Sequence, residues 1–196
     1  HSQPAPTEDH IERIFVFAMM WSIGAFLEEP DRRKFHMYLS EDYSYLNLPP
    51  CMTDTSNTVF DYKVDDKGWW QHWETCVTDY VYPSIGTPDY HSILIPNVDI
   101  VRMDFLVDIA AKQGRHVMLV GEPGSAKTVI INAYMKNYDP EEHLCRNFTF
   151  SSASTPLYFQ KIIEGFIIKR MGNTYGPPAG KTMSIFIDDI NMPDIN

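Results

Sequence analysis

Cysteine is scarce in this chain: three in 196 residues, Cys51, Cys76 and Cys145, widely spaced and with no Cys-x-x-Cys pair. An odd number at such spacing excludes a disulfide framework and a thiolate zinc site, and it suits a reducing compartment. His72 and Cys76 have the spacing of a metal half-site, but no second half follows, which leaves them a packing or surface role. Positive charge is also in short supply: 16 Lys and Arg against 26 Asp and Glu give a net charge of −10. That balance argues against nucleic acid or an anionic membrane as a partner. Long hydrophobic runs are missing too. The greasiest stretch, Ile14 to Leu27, falls short of the roughly 20 residues that a bilayer-crossing helix needs. Nothing like a secretory signal precedes it, so a cytoplasmic chain is expected. At 44% hydrophobic and 21% charged, what remains is an ordinary globular composition, enough for one good core or two small ones.

The informative stretch is Gly121-Glu-Pro-Gly-Ser-Ala-Lys-Thr128. Before it, His116-Val-Met-Leu-Val120 is a short apolar run of the kind that fills a parallel strand covered on both faces. After it, Val129 to Met135 reads as the first turns of an amphipathic helix. A strand-to-helix turn of small residues, here Gly121, Glu122, Pro123, Gly124, Ser125 and Ala126, aims its backbone N–H groups at one spot with the positive end of the helix dipole behind them. That spot suits a phosphate, with Lys127 reaching the terminal phosphates and the Thr128 hydroxyl on Mg²⁺. The strict pattern puts Gly where this chain has Ala126, a change tolerable if the backbone there is already entering the right-handed helical region. Further on, Met183-Ser-Ile-Phe-Ile-Asp-Asp189 is a second apolar strand ending in two carboxylates, the Walker B arrangement. Asp188 is expected to complete the Mg²⁺ shell and Asp189 to orient the attacking water. Gly176-Pro-Pro-Ala-Gly-Lys-Thr182 also ends in Gly-Lys-Thr, but it is one residue short and its prolines offer no N–H, so it reads as a surface loop.

Along the rest of the chain, His10 to Leu27 predicts a helix apolar on both sides, with Ile11, Ile14, Phe15, Ala18, Ser22, Ala25 and Phe26 on one face and Val16, Met20 and Ile23 on the other. Such a helix is buried in a large protein. Pro30 stops it, and Asp31 to Leu39 predicts a second helix. From Val59 to Tyr82, alternation at Phe60, Tyr62 and Val64, a turn at Asp65 to Gly68 and a return strand from Trp69 predict an aromatic hairpin or meander. Its Trp69, Trp70, Trp73, Tyr80 and Tyr82 have no basic neighbours to serve a nucleobase platform, so a packed minidomain or an interdomain contact is expected. Pro83, Gly86 and Pro88 mark a boundary, which divides the chain into 1–90 and 91–196. A helix is predicted from Asp99 to Ala111, closed by Gly114. After the P-loop helix, which should end near Asn137, come a strand at Arg146 to Phe150 and a helix from Leu157 to Arg170 with Thr155 as cap and Pro156 at its first position. The Ser151 to Ser154 run has no histidine placed for a triad and reads as part of that cap. The order is βαβαβ, an α/β fold with a parallel P-loop sheet. Such a sheet needs strands beyond the second acidic one, so a piece of a longer polypeptide is expected.

Taken together, Gly121 to Thr128, Phe150-Ser-Ser-Ala-Ser-Thr-Pro156, Arg170-Met-Gly-Asn-Thr-Tyr-Gly-Pro-Pro-Ala-Gly180 and Phe186-Ile-Asp-Asp-Ile-Asn-Met-Pro193 resemble the third AAA+ module of dynein heavy chains. Ala126 and Asp189 make it most similar to axonemal chains of the outer-arm type. Phe15-Val-Phe-Ala-Met-Met-Trp-Ser-Ile-Gly24 and the aromatic hairpin resemble the extension between the second and third modules. The resemblance implies a nucleotide site for ATP or ADP with Mg²⁺, Ile95, Pro96 and Asn97 lining the adenine pocket, and a regulatory role. It implies as partners the neighbouring AAA+ modules, other dynein heavy, intermediate and light chains, and microtubules reached through parts outside this chain, in an axoneme of a cilium or flagellum. Because Asp189 stands where the family has a longer Glu, a carboxylate set back by about an ångström should misalign its water and cost on the order of a hundredfold in rate. Binding with slow or negligible turnover is expected. The other readings are a scaffold that binds nucleotide and never cuts it, and an unrelated P-loop ATPase; a GTPase would carry Asn-Lys-x-Asp, which is absent.

Overall fold

The computed structural model of the chain describes residues 5–50, 57–81, 95–178 and 180–194. It divides into two compact units, His1–Arg102 and Met103–Asn196.

In the first unit, α1 (Glu8–Ile23) starts where Thr7 accepts a hydrogen bond from His10 N, with Glu8 and Asp9 favourably placed in the first turn. It gives way to a 3₁₀ turn at Gly24–Phe26. Pro30 therefore does not stop this helix; it sits in the first turn of α2 (Glu29–Asp42), where its missing N–H costs nothing. The expected faces of α1 are also corrected. The buried residues are Val16, Met20 and Gly24, whereas Ile11, Ile14, Phe15, Ile23 and Phe26 are exposed. The reason is the partner: Val16 and Met20 join Leu39, Val59, Phe60 and Tyr62 in one core, and the helix turns toward whatever packs on it.

The hairpin forms but is shorter than expected: Phe60 lies in a 3₁₀ turn, Val59–Asp61, and Trp73 in another, Trp73–Cys76, each turn leaving its strand only three residues. β1 (Tyr62–Val64) pairs antiparallel with β2 (Trp70–His72), Tyr62 opposite His72 and Val64 opposite Trp70. Asp65 Oδ1 shapes the turn by accepting from Lys67 N and Trp69 N, and Gly68 supplies the positive φ of 85°. A side chain on Gly68 would collide with His10, its Cβ only 2.5 Å from the ring. The aromatic residues pack rather than form a platform: Trp73 is fully buried with Nε1 donating to Phe60 O (3.1 Å), Trp70 Nε1 donates to Asn47 O (2.7 Å), and Trp69 lies against the Arg13 guanidinium. Tyr82 and the Pro83 to Pro88 boundary fall outside the described residues. His72 caps the turn that contains Cys76, accepting from Glu74 N. The division between units falls inside α3 (Val98–Lys112), a helix closed by Gly114 in the left-handed region.

In the second unit, α4 (Lys127–Met135) buries Ile130, Tyr134 and Met135. β3 (His143–Thr149) begins three residues before the expected Arg146 and pairs in parallel with β6 (Thr182–Asp188), in register from His143 opposite Thr182 to Thr149 opposite Asp188. α5 (Pro156–Phe166) is capped by Thr155, which accepts from Tyr158 N, and sets Phe159 and Phe166 against Phe148. It ends four residues before Arg170, because Ile168–Lys169 leave the helix as β4 and pair with β5 (Tyr175–Gly176). β-branched Ile167 and Ile168 favour the extended backbone that this pairing requires.

The main departure lies at His116 to Val120. It is no strand, and Met118 and Val120 are largely exposed, at 72% and 79%. An apolar run predicts a strand only if a neighbour is present to take its N–H and C=O groups, and among the described residues β3 and β6 pair with each other alone. The resulting α/β unit contains a two-stranded parallel sheet rather than the expected three strands.

Candidate nucleotide-binding site

The loop from Gly121 to Ala126 closes on itself before α4 begins. Ser125 Oγ donates to Glu122 O (2.8 Å), and Gly124 takes a φ of 81° that glycine adopts without strain. Gly121 lies close enough to Ser125 that an added Cβ would sit 3.3 Å from its hydroxyl. The residue before the lysine is not in the right-handed region expected for it. Ala126 caps α4 with φ 59° and ψ 12°, a left-handed conformation, because the chain must reverse sharply to point the first helical N–H groups back into the loop. An L-residue pays roughly 1–2 kcal/mol for that placement.

Lys127 opens α4 and curls its ammonium into the loop, donating to Gly121 O (3.0 Å), Glu122 O (2.7 Å) and Ser125 Oγ (3.0 Å). A compact cation is thus held at the centre of the turn, where the dipole of α4 is also positive. Thr128 projects from the next position and donates its hydroxyl to Asp188 Oδ2 at 2.8 Å, joining residues sixty apart in the chain. The other oxygen of Asp188 accepts from Asp189 N (3.1 Å), and the Asp188 carbonyl continues the β3–β6 ladder by accepting from Phe150 N (3.0 Å). The Asp188 carboxylate is fixed from two sides at the C-terminal end of a parallel strand, where α/β sheets bind ligands.

A hydroxyl and a carboxylate are hard oxygen donors of the kind Mg²⁺ takes, and adjacent corners of an octahedron with bonds of about 2.1 Å lie about 3 Å apart. The separation of Thr128 Oγ1 and Asp188 Oδ2 fits that edge. Asp189 leaves the strand with φ 52° and opens a turn in which its carbonyl accepts from Met192 N (2.9 Å). Asp tolerates that backbone better than most residues, and Asp189 is exposed.

Of the residues singled out from sequence, the structure brings together Gly121, Glu122, Ser125, Lys127, Thr128 and Asp188, with Pro123, Gly124 and Ala126 in the same loop and Asp189 next to the strand end. Ile95, Pro96 and Asn97 belong to the first unit, where Asn97 Oδ1 caps α3 by accepting from Ile100 N (2.9 Å) and Ile95 is exposed. The Gly-Lys-Thr decoy is engaged elsewhere: Lys181 Nζ donates to Pro140 O (2.9 Å) and Thr182 Oγ1 bonds His143 Nδ1 (2.6 Å).

Two contacts were not anticipated. Asn132 Oδ1 accepts from Asn147 Nδ2 (2.6 Å), and Cys145 Sγ reaches Met135 O, so α4 is pinned to β3 one turn below Thr128. The available signal was spacing: Asn132 is four residues after Thr128 and shares its helix face. Beneath it, Tyr134 bonds Tyr138 and Asp108, and burial followed by the Tyr138 hydrogen bond pushes its phenol well above the ordinary value.

A P-loop whose threonine meets the aspartate of a parallel strand is a fold-level feature shared by many NTPases; the comparisons narrow it. Residues 82–196 match a family model described as the P-loop containing dynein motor region, and residues 1–75 match the dynein heavy chain AAA lid domain. The chain belongs to the dynein heavy chain family. It is 56% identical over 189 residues to dynein axonemal heavy chain 5 of Rattus norvegicus, covering 96% of this chain and 5% of that one. It is 50% identical over 188 residues to dynein axonemal heavy chain 8 of Mus musculus (96% of this chain, 4% of that one). The dynein gamma chain of the Chlamydomonas reinhardtii flagellar outer arm is 41% identical over 187 residues (94% and 4%). The chain therefore spans about a twentieth of the length of these dynein relatives.

Proposed function

We propose that this dynein segment is an ATP-binding AAA+ module of an axonemal heavy chain of the outer-arm type, with residues 1–90 the extension between the second and third modules and 91–196 the N-terminal part of the third. The observation that carries the reading is the 2.8 Å bond between Thr128 Oγ1 and Asp188 Oδ2, which ties the P-loop helix to the acidic strand. The amides of Gly121 to Ser125 and the Lys127 ammonium receive the phosphates of ATP or ADP, which replace the loop oxygens now accepting from Nζ. Thr128 and Asp188 hold Mg²⁺, which when bound neutralises phosphate charge and polarises a phosphoryl oxygen. Ile95, Pro96 and Asn97 line the adenine pocket.

Asp189 is the residue that orients water. Its side chain is one methylene shorter than Glu and departs from a left-handed backbone, so turnover is slow and the site regulatory. The same observation favours the second reading, a scaffold that binds nucleotide without cutting it. The partners are neighbouring AAA+ modules, other dynein heavy, intermediate and light chains, and microtubules through other parts of the heavy chain, in the cytoplasmic axoneme of a cilium or flagellum.

The test is single-turnover phosphate release from full-length motor in which this is the one intact site. Slow release with ATP retained is expected, and rapid release would refute the regulatory role. Lys127→Ala should weaken nucleotide binding at least a hundredfold. Asp189→Asn separates the two readings, since a hydrolase then traps ATP and changes motor behaviour while a scaffold is unaffected.

A further inference from the structure

Outside the P-loop, the first unit contains a cavity of about 240 Å³ lined by Glu29, Arg32 and Arg33 of α2, by Thr58 and Asp61 ahead of β1, and by Arg102 of α3. Three guanidinium groups around one cavity stand out in a chain with a net charge of −10. Two of them have carboxylates of their own. Arg33 pairs with Glu29 at 2.8 Å, and Arg102 pairs with Asp99 and lies 3.7 Å from Asp61 Oδ1. The other Asp61 oxygen is taken up by Thr58 N (2.7 Å) and Thr58 Oγ1 (3.0 Å).

Arg32 differs, because it forms no ion pair among the described residues. Its guanidinium lies over the rings of Phe60 (5.1 Å) and Trp21 (5.5 Å) and donates once, from Nη2 to Ala25 O at 3.3 Å. Its Nε is buried with no acceptor among the described residues. Burial lowers its pKa, and repulsion from Arg102 lowers it further. A buried guanidinium donor without an acceptor keeps its whole desolvation cost, and native proteins rarely leave one so. The planar fork of arginine is matched by two oxygens of a phosphate or carboxylate.

We propose that this cavity binds a small oxyanion, a phosphate or carboxylate group, through the Arg32 guanidinium, with Arg33 and Arg102 supplying further positive charge. The occupant gives Nε the acceptor it lacks and places negative charge where Arg32 and Arg102 repel each other. Glu29 and Asp61 on the same wall leave the lining with a net of one positive charge, three arginines against two carboxylates. That balance selects a singly or doubly charged group over a polyanion.

The experiment is hydrogen exchange by mass spectrometry on the full-length protein, following peptides that cover residues 28–42 and 57–62. Sodium phosphate and sodium succinate are titrated separately, with sodium chloride at matched ionic strength as control. Millimolar phosphate or succinate should slow exchange in both peptides at least threefold beyond chloride, and the more effective anion identifies the chemistry of the occupant. Arg32→Gln should abolish the response. Arg32→Lys, which keeps a cation over Trp21 and Phe60 and so preserves the packing, should weaken it at least tenfold. No slowing by either anion overturns the proposal, as does slowing that chloride reproduces or that survives unchanged in Arg32→Lys.

Discussion

Replacing Ala126 by Gly distinguishes two backbones by the sign of its effect. At an ordinary right-handed position entering a helix, glycine costs about 1 kcal/mol relative to alanine. At φ 59° the balance reverses. Alanine there carries roughly 1–2 kcal/mol of steric cost from Cβ against the carbonyl, and glycine carries none. Against that gain stands about 0.4–1 kcal/mol for the greater freedom of glycine in the unfolded chain. Mid-range values of the two terms give a net stabilisation of the loop of about 0.8 kcal/mol, a factor of about four in a local opening equilibrium, since 1.4 kcal/mol is tenfold. Native-state hydrogen exchange of the amides at the start of α4 in full-length protein reads it directly, and those amides should be protected by that factor in Ala126→Gly. Because Ser125, Lys127 and Thr128 flank the change, nucleotide affinity should hold or tighten. Exchange that accelerates about fivefold would mean a right-handed Ala126 and would sink the account of how the loop turns.

Three further outcomes follow from packing and protonation. Gly24→Ala should cost about 1–3 kcal/mol in thermal or urea unfolding of the first unit, since the new Cβ would stand 2.4 Å from Cζ of Phe60, itself 1% exposed. Trp73→Ala should cost about 3–5 kcal/mol by removing a fully buried ring that donates to Phe60 O, while Trp69→Ala, at an exposed ring, should fall below about 1 kcal/mol. His143 is stacked on Tyr138 and bonded to Thr182 and Ser184, and burial lowers its pKa from the usual value. The native state then binds fewer protons than the unfolded one, so the stability it contributes is complete above about pH 6.5 and is lost as pH falls below it. His143→Gln should flatten the stability profile between pH 7 and 5, and an unchanged slope would refute the assignment.

Features written in short local patterns could be read from the residues. Thr155 with Pro156 specifies its own helix start, Asp65 with Gly68 its own turn, and Lys127 the head of α4, because each is satisfied by atoms a few positions away. What depends on a distant neighbour could not be read so easily. The run His116 to Val120 has the composition of a strand, but strand formation needs a partner that composition does not name. The two apolar faces of α1 are nearly equivalent in sequence, and only the arrival of Leu39 and Phe60 decides that Val16 and Met20 go inside. α5 ends early because Ile168 and Lys169 find Tyr175 and Gly176. The left-handed Ala126 illustrates a third kind of failure, in which loop closure overrides the preference of the residue itself.

The bond from Thr128 to Asp188 spans sixty positions. A ribosome that has just added Thr128 has made a phosphate loop but no site, since the acid that steadies it is not yet translated. Closing that span costs conformational entropy before any contact repays it, so a ligand gripping both ends would stabilise the assembled state by mass action. Where the lysine and the aspartate are contributed so far apart, occupancy would report that the stretch from Lys127 to Asp188 has finished folding.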